Sequence, residues 1–165
     1  REPDDEGHRA LRIRCLHRAA RHAEVVAAST VEIARLTASP PAELAELRLA
    51  EAIRTRGEAR YWLGDKSGAQ LDYEAATRIN PDDAGAWADL AELHLEHGFI
   101  DAAAACIERA WEIGGGALGG FVQLVRGDVY AARGDFDEAR AWWDAAVSCG
   151  SERAQERLQR HDPGE

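Results

Sequence analysis

The chain has 165 residues, 45% of them apolar and 30% charged, with a formal net charge of −10. That size holds one compact domain or a short stack of repeating units, and the apolar content excludes a disordered chain. No run approaches the roughly eighteen apolar residues of a membrane helix, and an acidic chain repels the phosphate backbone that nucleic-acid affinity rests on.

The acid excess lies wholly in residues 50–165, which hold twelve basic and twenty-two acidic side chains; residues 1–49 balance at eight of each. The chain opens on Arg1, shows no signal peptide and contains no methionine, so it reads as a piece of a larger protein whose targeting segment could have been cut away. Cys15, Cys106 and Cys149 are far apart with no Cys-x-x-Cys pair, which points to a reducing, cytoplasmic setting. Lys66 is the only lysine beside abundant arginine and alanine, the usage of a GC-rich bacterial genome.

Residues 8–37 contain no glycine or proline and suit one long helix, or two with a break that the pattern does not locate. Leu11, Cys15, Ala19, Val26 and Ile33 give this segment an apolar side. Arg9, Arg12, Arg14, Arg18 and Arg21, with His8, His17 and His22, form a basic cluster with no acid between them. It suits an anionic membrane or nucleic acid, or folding against the acidic remainder of the chain; the last needs no outside partner and is preferred. Ala38-Ser-Pro-Pro41 then interrupts, and Pro41 suits the first turn of a helix running to Leu63. Residues 1–49 are therefore expected to form a long antiparallel helical hairpin that packs on the remainder of the chain.

Three segments after that superimpose without gaps, beginning at Gly64, Gly98 and Gly134. Extended both ways, they define units 50–83, 84–119 and 120–150. A small residue recurs at intervals of twelve and seven: Gly57, Ala69, Ala76; Ala91, Ala103, Ala110; Gly127, Ala139, Ala146. Seven residues keep two side chains on one helix face, twelve span a turn into the next helix, and small side chains let the two helices close up. Tyr73, Ile107 and Trp143 follow four residues after the second small one and fill the space between the pair. The three glycines end the first helix of each pair.

The C-terminal segment 151–165 reads as a cap. Ser151 suits the N-cap of a short helix Glu152–Arg160, which stops before Pro163 and covers the open end of the array.

The period, the small-residue triplet, the turn glycine and Pro81 resemble the tetratricopeptide repeat family, over about residues 50–150. Trp87, Leu90 and Ala91 match its opening motif and Tyr130 its tyrosine. Arg60, His94, Gln123, Gly115 and Ser151 depart from it. The resemblance implies an all-α fold of tandem helical hairpins in a short right-handed superhelix, with a long helical N-terminal segment and a capping helix. It also implies a concave groove, lined by first helices, that binds peptides.

Projected onto this chain, the groove carries Arg54, Glu58, Tyr61 and Trp62, then Asp89, Glu92, Leu95 and Glu96, then Phe121, Leu124, Val125 and Asp128. It is expected to be acidic in its middle and apolar at its last unit, which favours a peptide with arginine or lysine beside an apolar anchor; a plain solvated helix face is the simpler alternative. A carboxylate clamp is not expected, because only Arg54 could serve it.

Other candidates read blandly. His94 and His97 sit three apart on one helix without a third ligand or the catalytic His-Glu-x-x-His order, so no metal or cofactor is expected. The Gly114–Gly120 stretch lacks the ending of a phosphate cradle and is an elongated turn. The cysteines read as inert fillers of helical faces. Trp142 marks either a contact with the C-terminal helix or a second partner patch. The expected function is a scaffold or adaptor that binds another protein or peptide and is not an enzyme. The rival readings are the recognition domain of a larger enzyme, such as a kinase or protease, and a self-associating homo-oligomeric scaffold.

Overall fold

The structure is a computed structural model that describes residues 6–38, 43–114 and 119–161. Pro41, Gly115 and Pro163, along with the middle of the glycine-rich turn, lie outside the described residues. Within them the chain is all-α: α1 Glu6–Arg18, α2 His22–Thr37, α3 Glu43–Trp62, α4 Lys66–Ile79, α5 Ala84–Glu96, α6 Ile100–Gly114, α7 Gly120–Arg133, α8 Phe136–Ser148 and α9 Glu152–Arg160. Two compact units divide between Pro81 and Asp82, the first with α1–α4 and the second with α5–α9.

In the first unit the stretch 8–37 is two helices, so the single long helix does not form. The break falls where Ala20 takes φ +52, and the Arg21 amide reaches back to Leu16 O at 3.0 Å. A left-handed alanine costs about 1–2 kcal/mol. The turn it makes brings Ile13 and Leu16 of α1 onto Val25 of α2 and Ala59 of α3, and that apolar burial offsets the strain. α1 packs on α2, α2 on α3, and α3 pairs with α4. The 20 residues of α3 make it longer than either α5 or α7, 13 and 14 residues.

Within the three hairpins α3/α4, α5/α6 and α7/α8, all nine small residues of the repeat are buried. Space explains the two glycines among them. A Cβ on Gly57 would meet the Tyr73 ring at 2.8 Å, and one on Gly127 would meet Trp143 Cδ1 at 2.5 Å. Tyr73, Ile107 and Trp143 are buried between their paired helices. The turn after α7 requires glycine, since Gly134 has φ +89 in the left-handed region; Gly64 and Gly98 repeat the device with φ +86 and +76.

One further pair of repeat positions is filled in three chemically different ways. Arg56 of α3 grips Asp72 of α4 at 2.9 and 2.6 Å, and Arg60, standing where the repeat tyrosine would be, adds a third bond at 2.9 Å. The equivalents in the second hairpin are apolar Leu90 and Cys106, both buried. In the third hairpin Arg126 lies over the Trp142 ring at 4.4 Å and the Trp111 ring at 5.0 Å, and donates to Glu108 at 2.8 and 3.0 Å. The first and third hairpins thus join their helices here by a charge pair and a cation–π stack, where the second carries two buried apolar side chains.

In the second unit α7 packs against both α5 and α6, and α9 packs on α8. Its last core cluster joins Leu124, Ala139, Trp143 and Ala146 to Ala154 of α9. Ser151 caps α9, its hydroxyl accepting from the Ala154 amide at 3.3 Å.

Candidate functional site

A cleft of about 430 Å³ opens in the second unit. α5 contributes Glu92, Leu95 and Glu96, and α7 contributes Asp128, Ala131 and Ala132. These are equivalent positions, each pair 36 residues apart, so the packing of α7 on α5 sets two like faces side by side. Phe136 and Trp143 on α8 line the cleft as well. Arg153, Arg157 and His161, from α9 and the residue after it, form a wall.

The charges in the cleft are matched across it. Arg157 donates to Asp128 from Nε to Oδ1 at 3.0 Å and from Nη2 to Oδ2 at 3.3 Å. Trp143 Nε1 donates to the same Oδ1 at 2.9 Å. Arg153 donates to Glu92 on α5. The Glu92 and Asp128 side chains are each 17% exposed, but Arg153 is 45% and Arg157 28% exposed, so only the Arg157–Asp128 pair is partly shielded from water. The His161 ring stacks on Phe136 at 5.4 Å and on Trp143 at 5.3 Å, and its carbonyl accepts from Arg140 at 3.2 Å. α9 thus lays basic side chains one helical turn apart onto an acidic and aromatic floor.

The projected groove residues fall into three groups. In the first unit Arg54 and Glu58 pair at 2.9 Å, and His17 of α1 reaches Glu58 at 3.4 Å. Tyr61 lies under Lys66, and Trp62, 64% exposed, stacks on His22 of α2 at 6.1 Å. In the second unit Glu92, Leu95, Glu96 and Asp128 come together in the cleft. Asp89 is buried and Phe121 half-buried, neither of them in the cleft.

Leu124 and Val125 are corrections: each is 1% exposed, inside the core. In repeat register the counterparts of Leu95 and Glu96 are Ala131 and Ala132, not residues nearer the start of α7. Leu124 instead faces α8, packing with Ala139 and Trp143. The 36-residue offset was the signal that could have found Ala131 and Ala132.

Within the basic cluster His17 and His22 meet α3, at Glu58 and Trp62, while two arginines pair with α2. Arg9 donates to Glu32 at 3.0 Å, Arg21 to Glu24 at 2.6 Å, and both acids lie on α2. Trp142 is half-buried and contacts Trp111 and Arg126. Cys106 is buried, whereas Cys15 and Cys149 are exposed and are not core fillers. His94 and His97 both set their rings edge-on to Phe99, at 6.2 and 6.1 Å. Among the described residues no group of three ligating side chains could hold a metal, and no helix is long and apolar enough to cross a membrane.

A family profile described as a tetratricopeptide repeat-like domain matches residues 22–161. No curated protein sequence matches the chain. Among solved structures it is similar to a thermophilic TPR protein of Thermus thermophilus, with 18% identity and a TM-score of 0.64, over 96% of this chain and 80% of that one. It is similar to the TPR domain of Arabidopsis OM64 at 21% identity and a TM-score of 0.60, over 70% of this chain and 98% of that one. The N-terminal domain of stress-induced protein-1 from C. elegans aligns at 18% identity and a TM-score of 0.55, over 70% and 95%. At these identities the likeness speaks for the fold.

Proposed function

The chain belongs to the tetratricopeptide repeat-like domain family, and from that premise we propose that it is a non-catalytic scaffold or adaptor whose second-unit cleft binds a basic, partly apolar segment of a partner protein. Proteins of this fold serve protein–protein interaction. The observation that carries the finer reading is the convergence of Glu92 and Asp128, from two adjacent helices, beside Leu95 and the half-exposed Phe136. Partly desolvated carboxylates give charge selectivity, and a neighbouring apolar pocket gives the anchor. Three unbridged cysteines, two of them exposed, and the dominance of arginine over lysine support a bacterial, cytoplasmic setting.

The test is binding of labelled peptides with arginines beside leucine or phenylalanine to the full chain, read by fluorescence anisotropy. Glu92→Lys with Glu96→Lys reverses the charge of the α5 face without touching the core. Affinity should fall about tenfold or more, with the helical circular dichroism unchanged. Equal affinity in the double variant puts the working surface elsewhere.

A further inference from the structure

The second-unit cleft already holds an arginine-bearing helix, its own α9, and this points to what else it takes. We propose that the cleft is a receptor for an amphipathic helix of a partner protein with arginines four residues apart, and that α9 is a resident stand-in which the partner displaces. The proposal rests on the function proposed above and adds the shape of the ligand and the state of the site before it arrives.

Two arginines at i and i+4 lie on one helix face, about 5–6 Å apart. Arg153 and Arg157 have that spacing, and they meet carboxylates on two different helices, Glu92 on α5 and Asp128 on α7. The cleft therefore matches a helix-turn spacing of positive charge, which an extended chain reproduces only by accident.

Apart from its arginine bonds and cap, α9 is lightly held. It has 9 residues, too few to be stable alone, and Ala154 is its one buried side chain among the described residues. Leu158 is half-buried against the last core cluster. Short elements with little buried apolar surface open at the low end of a protein's local stabilities. α9 further leaves binding surface unused: Phe136 stays half-exposed under His161, and Leu95 lines an open cleft. A longer partner helix that keeps the two arginines repeats both charge contacts of α9, and an added apolar side chain reaches Phe136 and Leu95 as well.

The experiment uses the full chain and a fluorescein-labelled, alanine-based helical peptide of roughly twenty residues, long enough to be helical by itself. It carries two arginines four apart with a leucine after the second; a control peptide has the same composition with the arginines two apart. The arginine-disarmed variant Arg153→Gln, Arg157→Gln should bind the first peptide about tenfold or more tightly than wild type, since the internal competitor is loosened, and the control peptide should bind weakly. Adding Glu92→Lys should abolish the gain.

Equal affinity of wild type and disarmed chain, both lost with Glu92→Lys, makes α9 a fixed cap and overturns displacement while keeping the proposed function. Equal binding of the control peptide overturns the helical ligand. Absence of binding in every protein retires both readings. Should the disarmed chain fail to fold, hydrogen exchange on wild type decides: saturating peptide should strip protection from the α9 amides, and unchanged protection overturns the proposal. A doubled mass of wild type by light scattering, lost with Arg153→Glu, would make the occupant a second copy's α9 and overturn the partner assignment.

Discussion

Arg157 meets Asp128 with two parallel N–H donors, at 3.0 and 3.3 Å, and so ties α9 to α7 through the same carboxylate that accepts the indole N–H of Trp143. Asp128 is at once a core anchor, through the tryptophan, and a surface receptor, through the arginine. Arg157→Ala should separate the two roles. The Trp143 bond remains, so the hairpin α7/α8 should keep its tryptophan fluorescence, while loss of the partly exposed pair costs about 1 kcal/mol. Hydrogen exchange should show that loss confined to α9.

Gly127→Ala should destabilise although alanine is the better helix former by about 1 kcal/mol. The added methyl would sit 2.5 Å from Trp143 Cδ1 and 3.1 Å from the Ala139 carbonyl, and the indole cannot swing away without giving up Asp128. Overpacking of this kind costs about 1–3 kcal/mol, so a net loss should appear in urea unfolding. A rise in Tm would show that the helices are not as close as described.

Legibility follows the range of the interaction. The small-residue triplets, the turn glycines and the Ser151 cap were readable because each answers a local or strictly periodic demand. The break at Ala20 was not, since alanine does not favour that backbone conformation and the packing of Ile13 and Leu16 with Val25 and the distant Ala59 helps to stabilise it. The Arg153–Glu92 pair joins residues 61 apart, beyond any helical period. Leu124 and Val125 are not separable from groove residues in sequence, because an apolar stripe looks the same whether it faces a ligand or the neighbouring helix.

Asp72 is 3% exposed and held by Arg56 and Arg60. Asp72→Ala should cost about 2 kcal/mol, because it strands the Arg56 guanidinium, which is only partly able to turn to water, and leaves Arg60 with the Gly68 carbonyl and Asp65 alone. Thermal melting of the variant, followed by circular dichroism, should show the loss. Arg60→Ala alone should cost less, since the two-point bond from Arg56 survives.

Glu32 accepts from Arg35 at 2.7 and 3.1 Å and from Arg9 at 3.0 Å, joining α1 to α2. The Arg35 hydrogen bond, opposed by burial and helped by the charges of Arg35 and Arg9, holds its carboxyl below the ordinary value. A carboxylate depressed in the folded state stabilises above the unfolded pKa, and that contribution disappears as pH falls through the folded one. Glu32→Gln should therefore cost about 1 kcal/mol near neutrality, and the gap to wild type should close below about pH 4. Paired urea titrations across that range are the check; a gap that persists in acid would mean the pair is not what holds α1.

The central claim is that partners seat in the second-unit cleft, between the acidic faces of α5 and α7. The direct measurement is photo-cross-linking of the full chain to its partner, with benzoylphenylalanine placed at Leu95 inside the cleft or at Ala105, exposed on α6 and outside it. Adducts should form at position 95 alone, and mass spectrometry should map them to a partner helix with arginines four residues apart. Adducts at position 105 with none at 95 would contradict the account.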